Sequence, residues 1–266
     1  MNISMDGRRV VVTAGGSGIG QVIASYFVDA GAKVAICDID PACATGGTSG
    51  DRLRGWEADV GNAQSAGRFM QVAIDWLGGI DVLVNNAGVS GPTKPVEDIS
   101  VAEWCHTIDV NVNGQFYCAR MAIPLMKAQR SGVILNLSSV AGKMGMPRRS
   151  VYSVSKYAVR GFTDVLAVEL GEYNIRVNSL LPGVVNGARV RRVIAEQAAA
   201  AGLSLAQYWP RVLHNVSMHT AVDAEDVAAM ALFLASDQAR FISGQSIGVC
   251  GNFESYRGPI VLGDDA

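Results

Sequence analysis

The sequence predicts an α/β fold, a single domain built on a doubly wound parallel sheet, and three observations carry that prediction. Short apolar runs rich in valine and isoleucine alternate with longer stretches of helical periodicity along the chain. The first run, Val10–Val12, passes through a glycine-rich turn, Thr13 to Gly20, into a helix and then a second apolar run at Lys33–Asp38. The 266 residues suit one sizeable core, and no linker, repeat or low-complexity tract divides them.

Each element follows from its residues. Val10–Val12 is apolar throughout, as a central strand buried on both faces must be. Ile19, Val22, Ile23, Tyr26, Phe27 and Ala30 recur at i, i+3, i+4, i+7, i+8 and i+11, one helical stripe that Gly31 closes. A glycine turn between strand and helix lets backbone N–H groups cradle a pyrophosphate at the helix N-terminus. Ser17, Gly18 and Ile19 are therefore expected to bind a dinucleotide. A flexible turn is the plainer reading, and the flanking strands and helix tell against it. Asp38 ends the second strand eighteen residues past Gly20, where a carboxylate can accept both adenosine ribose hydroxyls and repel a 2′-phosphate. Neither Ser17 nor Ile39 is basic, so the expected cofactor is NAD rather than NADP.

Pro41 to Gly55 is polar and glycine-rich and reads as a short helix or loop. Trp56–Val60 resembles the end of a third strand, and a helix through Phe69, Val72, Ala73 and Trp76 stops at Gly78-Gly79. Ile80–Val84 is the fourth strand, running into Asn85-Asn86-Ala87-Gly88. One long helical stretch then covers Val101 to Arg130. Gly132–Leu137 reads as the fifth strand, Ile175–Leu181 as the sixth, ending at Pro182-Gly183, and Ile247–Cys250 as the last.

The chemistry concentrates between Asn136 and Lys156. The fifth strand ends in Ser138 and Ser139, and thirteen residues after Ser139 comes Tyr152-Ser-Val-Ser-Lys156. Residues four apart on a helix share a face, so Tyr152 and Lys156 are neighbours. A phenol titrates at about pH 10 and is a poor base at neutrality, but an adjacent ammonium stabilises the phenolate. A serine hydroxyl can hold an alcohol oxygen while the tyrosine exchanges its proton. On spacing alone such a pair is usually a surface contact; its setting in this chain singles it out.

Composition narrows the rest. A net charge of −2 gives no electrostatic case for nucleic acid or an anionic membrane. No apolar run reaches the roughly eighteen residues of a transmembrane helix, and the first residues lack a signal peptide's apolar core. Cys37, Cys43, Cys105, Cys118 and Cys250 follow no metal-ligand spacing and read as the reduced thiols of a cytoplasmic protein. His106, His214 and His219 do not cluster either, so no metal is expected.

In the same order and over nearly the whole chain, seven motifs resemble those of the short-chain dehydrogenase/reductase family in its single-domain form. They are Thr13–Gly20, Asp59-Val60, Asn85–Gly88, Asn111, Ser139, Tyr152 with Lys156, and Pro182-Gly183. The resemblance implies a Rossmann-type fold and hydride transfer between an alcohol or ketone and a nicotinamide. It makes Tyr152 the acid/base, Lys156 the group that lowers its pKa and holds the nicotinamide ribose, and Ser139 the substrate-orienting hydroxyl. Asn111 matches the asparagine that positions a water in the proton relay. Asp59 and Val60 match the adenine contacts. Asn86, Ala87 and Gly88 match the cofactor lining, and Pro182, Gly183 and the Val185 backbone match the segment at the carboxamide. Ser138 could be mistaken for the catalytic serine, but the spacing to Tyr152 favours Ser139. Three positions depart from the family pattern. Ala14 replaces the first glycine, tolerable if that position needs no positive φ. Asn186 replaces a threonine, and Cys250-Gly251-Asn252 replaces Asp-Gly-Gly.

The expected activity is NAD(H)-dependent interconversion of a secondary alcohol and a ketone. A 3-oxoacyl thioester (acyl-carrier-protein) reductase is the alternative enzyme, and Asp38 argues against the NADPH it usually prefers. A catalytically silent NAD-binding scaffold is the alternative outside enzymes; such proteins typically lose the serine, tyrosine or lysine. Specificity is expected from the loops Ser90–Lys94, Lys143–Arg149 and 187–220, the last a mobile lid. Arg148, Arg149, Arg189, Arg191 and Arg192 offer planar forks to an anionic substrate, whereas Leu203, Leu205, Tyr208 and Trp209 suit an apolar one. The helix carrying Tyr152 has two apolar faces, Val159, Leu166 and Leu170 on one and Val154, Ala158, Phe162 and Val165 on another. One meets the sheet. The second implies another subunit, in keeping with the family's usual homotetramer, unless a neighbouring helix covers it.

Overall fold

The computed structural model describes residues 3–46 and 50–253. Its first seven elements are β1 (Arg9–Thr13), α1 (Gly18–Asp29), β2 (Lys33–Asp38), α2 (Ala42–Gly46), β3 (Leu53–Glu57), α3 (Ala63–Leu77) and β4 (Val82–Asn85). Then come α4 (Val101–Ile108), α5 (Gly114–Gln129), β5 (Gly132–Leu137), α6 (Ser150–Leu170) and β6 (Ile175–Pro182). The last are α7 (Ala188–Ala200), α8 (Leu205–His214), α9 (Ala224–Ala235) and β7 (Ser246–Val249). The strands form one Rossmann-type parallel sheet in the order β3-β2-β1-β4-β5-β6-β7.

Helices cover both faces because successive strand residues point opposite ways. Val11 packs in the cluster formed with α3 and α5, whereas Val10 and Val12 pack with Phe27 of α1 and Ala231 of α9. Burying each such large apolar side chain contributes about 1.5–3 kcal/mol. The strand order reverses between β1 and β4, which leaves a crevice beyond their carboxyl ends. Buried polar groups then fix how α6 sits on the sheet. Asn85 Nδ2 donates to Asn136 Oδ1, and Asn136 Nδ2 donates to Thr163 Oγ1, both at 2.9 Å. β4, β5 and α6 are thereby joined through one hydrogen-bonded chain in a low-dielectric interior.

Three stretches differ from the sequence expectation. β3 ends at Glu57, so Asp59 and Val60 lie in the loop beyond it. As the sheet's edge strand it is only partly buried and lacks the continuous apolar run of its neighbours. The stretch from Val101 to Arg130 is helical but carries a π-helical segment, Asp109–Asn113, between α4 and α5. The 187–220 stretch, expected to be loops, holds α7 and α8. Ser204 starts α8 through a capping box with Gln207, a pattern readable in the sequence. Leu205, Tyr208 and Trp209 pack with Val184, Ile194 and Val216 in a small cluster of their own. On α6, Val159, Leu166 and Leu170 are buried as expected, while Val154 and Val165 stand 46% and 54% exposed. Ala158 on that second face is exposed as well, while Phe162 is half-buried against the core.

Candidate active site

The carboxyl ends of the central strands open onto one cleft of about 730 Å³, large enough for a small ligand or cofactor. The glycine turn forms one end. Ser17 precedes α1 without a side-chain cap, and the first turn carries no acidic residue. The N–H groups there remain available to an anion. Gly18 adopts φ +55°, and Ala14 adopts φ +50°. The condition under which alanine would be harmless is therefore not met: Ala14 sits in the left-handed region that costs a Cβ-bearing residue about 1–2 kcal/mol.

Asn86, just past β4, and Thr13, at the end of β1, hold this turn. Asn86 Nδ2 donates to Thr13 O at 2.9 Å and Ala14 O at 3.1 Å. Thr13 Oγ1 accepts the N–H groups of Asn86 and Ala87, each at 3.0 Å. Asp38 Oδ2 accepts the Gly16 N–H at 3.1 Å, and Asp59 Oδ1 accepts the Gly61 N–H at 2.8 Å. Ser17, Gly18, Ile19, Asp38, Asp59 and Val60 all line the cleft. Asn86, Ala87, Gly88, Pro182, Gly183 and Val185 line it as well.

Ser139, Tyr152 and Lys156 line the same cleft. Ser138 Oγ donates to Lys156 O at 2.8 Å, so that hydroxyl is spent tying β5 to α6. Ser139 Oγ instead accepts the Ala141 N–H at 3.2 Å. Lys156 is buried; its Nζ donates to Leu137 O at 2.8 Å and lies 5.8 Å from the centroid of the Tyr152 ring. Arg149 Cζ stands 4.7 Å from that ring.

Asn111 does not line the cleft. It is fully buried in the π-helical segment, where Oδ1 accepts the Val89 N–H at 2.7 Å. Its Nδ2 donates to Val89 O and Ser155 Oγ, both at 3.0 Å, and Ser155 Oγ donates to Tyr152 O at 2.7 Å. Asn111 thus joins the loop after β4 to the first turn of α6. The departure at Asn186 is accommodated by its amide, which donates to Asp223 Oδ1 at 2.7 Å.

His106, Val190 and Val193 line the cleft and were not singled out from the sequence. Val190 and Val193 lie three apart on α7 and carried a helical signal, whereas a single histidine carried none. The apolar residues expected to favour an apolar substrate do not reach the cleft: Leu205, Tyr208 and Trp209 belong to the cluster around α8. Of the arginines, Arg149 lines the cleft, Arg191 stacks 5.5 Å from the Trp209 ring, and Arg148 and Arg192 are exposed. The Arg189 side chain lies outside the described residues. The uncapped helix end, the Asp38 carboxylate and the cleft's size together fit a dinucleotide.

The profile of a family described as enoyl-(acyl carrier protein) reductase matches residues 13–253. An uncharacterized oxidoreductase of Thermotoga maritima is 36% identical, with 94% of this chain and 98% of that protein covered. (+)-Borneol dehydrogenase 2 of Salvia officinalis is 35% identical, with 94% and 90% covered. The solved structure of NAD+-bound xylitol dehydrogenase superposes with a TM-score of 0.88 at 26% identity, covering 92% of this chain and 98% of that one. With its fold, motif order and relatives in agreement, the chain belongs to the short-chain dehydrogenase/reductase family of oxidoreductases.

Proposed function

We propose that this protein interconverts a secondary alcohol and a ketone with NAD(H). The observation that carries this reading is the convergence of Ser139, Tyr152 and Lys156 on the cleft that the glycine turn also lines. A bound nicotinamide supplies the hydride acceptor or donor. Ser139 holds the substrate oxygen, and Tyr152 takes up or returns its proton. The Lys156 ammonium stabilises the phenolate and binds the nicotinamide ribose. Asn111 supports the proton relay by fixing the start of α6. Ser17, Gly18 and Ile19 take the pyrophosphate, Asp38 the adenosine ribose, and Asp59 and Val60 the adenine. Asn86, Ala87, Gly88, Pro182, Gly183 and Val185 flank the rest of the cofactor, and α7 with α8 serves as the lid. The test is a screen of polyols, hydroxy acids and steroid-like alcohols followed by NADH absorbance. No hydride transfer with any of them would leave an NAD-binding scaffold as the better reading.

The choice of NAD rests on Asp38, whose charge opposes a 2′-phosphate, and on the apolar Ile39 beside it, 70% exposed. Asp38→Ala should narrow the kcat/KM preference for NAD over NADP by about tenfold, or about 1.4 kcal/mol. A wild-type enzyme that already favours NADP would refute this assignment. A likeness to the solved 3-ketoacyl-(acyl-carrier-protein) reductase of Brucella melitensis, 28% identical with a TM-score of 0.84, favours a second reading, a 3-oxoacyl thioester reductase. Efficient turnover of a 3-oxoacyl thioester with NADPH over NADH would select it.

We further propose a homotetramer, because Val154, Val165 and Val168 of α6 leave an apolar face on the outside, Val168 being 84% exposed. Sedimentation at four times the 28.0 kDa chain mass is expected; a monomer at micromolar concentration would discard the assembly.

A further inference from the structure

We propose that Arg149 determines specificity by anchoring the carboxylate of a compact hydroxy-acid substrate, with the carbinol set beside Tyr152. This inference rests on the dehydrogenase reading above. Arg149 immediately precedes α6 and is 5% exposed, yet it lines the cleft with Ser139 and Tyr152. Among the described residues its guanidinium joins no ion pair. Its hydrogen bond there is a long one, from Nη1 to Thr93 Oγ1 at 3.3 Å.

A guanidinium carries five N–H donors and stays charged at any pH a protein tolerates. Burial without a counter-ion is unfavourable for it, and desolvation draws the Arg149 pKa down while Tyr152 and Glu196 act the other way. Tyr152 offers the cation a ring face, with Cζ 4.7 Å from the centroid. Contact with a ring face leaves the in-plane N–H edge for a planar acceptor with two oxygens. A carboxylate matches that fork. Because the ring under the guanidinium is that of the proton carrier, only a short spacer can separate carboxylate from carbinol, as in a 3-hydroxy acid. Among the candidate arginines whose side chains are described, the others do not compete for this role: Arg148 and Arg192 face solvent, and Arg191 lies on Trp209.

The experiment compares 3-hydroxybutanoate with its primary amide in wild type, Arg149→Met and Arg149→Gln. Melting temperature and NADH binding are read on each protein. Wild type should favour the acid, and Arg149→Met should raise KM for the acid by about tenfold or more. KM for the amide and NADH affinity should stay within about threefold. Should Arg149→Met fail to fold, Arg149→Gln, which keeps polarity and loses charge, reads the same ratio. Equal loss on both substrates, loss on neither, or a wild-type preference for the amide would overturn the assignment. Wild-type turnover confined to neutral alcohols would overturn it while leaving the dehydrogenase reading standing. Absence of hydride transfer with every alcohol would overturn both.

Discussion

Replacing Tyr152 by phenylalanine is expected to lower turnover by about 10²–10⁴-fold while fold and NADH binding persist. That range corresponds to about 3–5 kcal/mol of barrier, the contribution of a positioned proton carrier. The ring's surroundings survive the change: Arg149 and Lys156 stand 4.7 and 5.8 Å from its centroid, and a phenyl face still attracts them. Lys156 also keeps its bond to Leu137 O, which does not involve the phenol. The substitution therefore removes the exchangeable proton and little else. Stopped-flow or steady-state kcat on any competent alcohol, with NADH fluorescence as the binding control, measures it. Turnover within about threefold of wild type would take Tyr152 out of the proton transfer.

Much of the scaffold was legible because its determinants are local. The apolar runs at Val10–Val12 and Gly132–Leu137 are buried strands, and the stripe from Ile19 to Phe27 is a helix face. Ser17, Gly18, Ile19 and Asp38 followed from the same logic, since strand ends and a glycine turn converge at the crevice of a doubly wound sheet. Asp59, Val60, Asn86–Gly88, Pro182, Gly183 and Val185 came instead from the family resemblance. What escaped depends on contacts distant in sequence. The π-helical segment at Asp109–Asn113 is accompanied by bonds from Asn111 to Val89 and Ser155, partners 22 and 44 residues away. Arg149 is one of five arginines that the sequence offers to an anionic substrate, and only its burial beside Tyr152 sets it apart from Arg148, Arg191 and Arg192. The lid helices were not read from the sequence, although the Ser204–Gln207 capping box that starts α8 is a local signal.

Gly20→Ala is expected to cost about 1–3 kcal/mol of stability and to weaken NADH binding about tenfold. In an unconstrained helix the same change would stabilise by about 1 kcal/mol, so the sign of the effect is itself the test. Gly20 is buried near the start of α1, and an added Cβ would collide with the Ala14 carbonyl oxygen and Asn86 Nδ2. Neither atom can step aside cheaply. One belongs to the backbone, and the other is held by Thr13 O and Ala14 O at 2.9 and 3.1 Å. Relief must come from moving the turn, and hydrogen bonds from its N–H groups to a phosphate weaken steeply as they lose alignment. Ala14→Gly, in the same turn, should act in the opposite direction. It removes the strain of φ +50° without adding an atom, a gain of about 0.5–1 kcal/mol after glycine's larger entropy loss on folding. Thermal melts and NADH titrations of both variants measure the pair. A Gly20→Ala protein that melts above wild type with unchanged NADH affinity would mean that the turn yields freely. The close approach of α1 to Ala14 and Asn86 would then play no part in holding the proposed phosphate site.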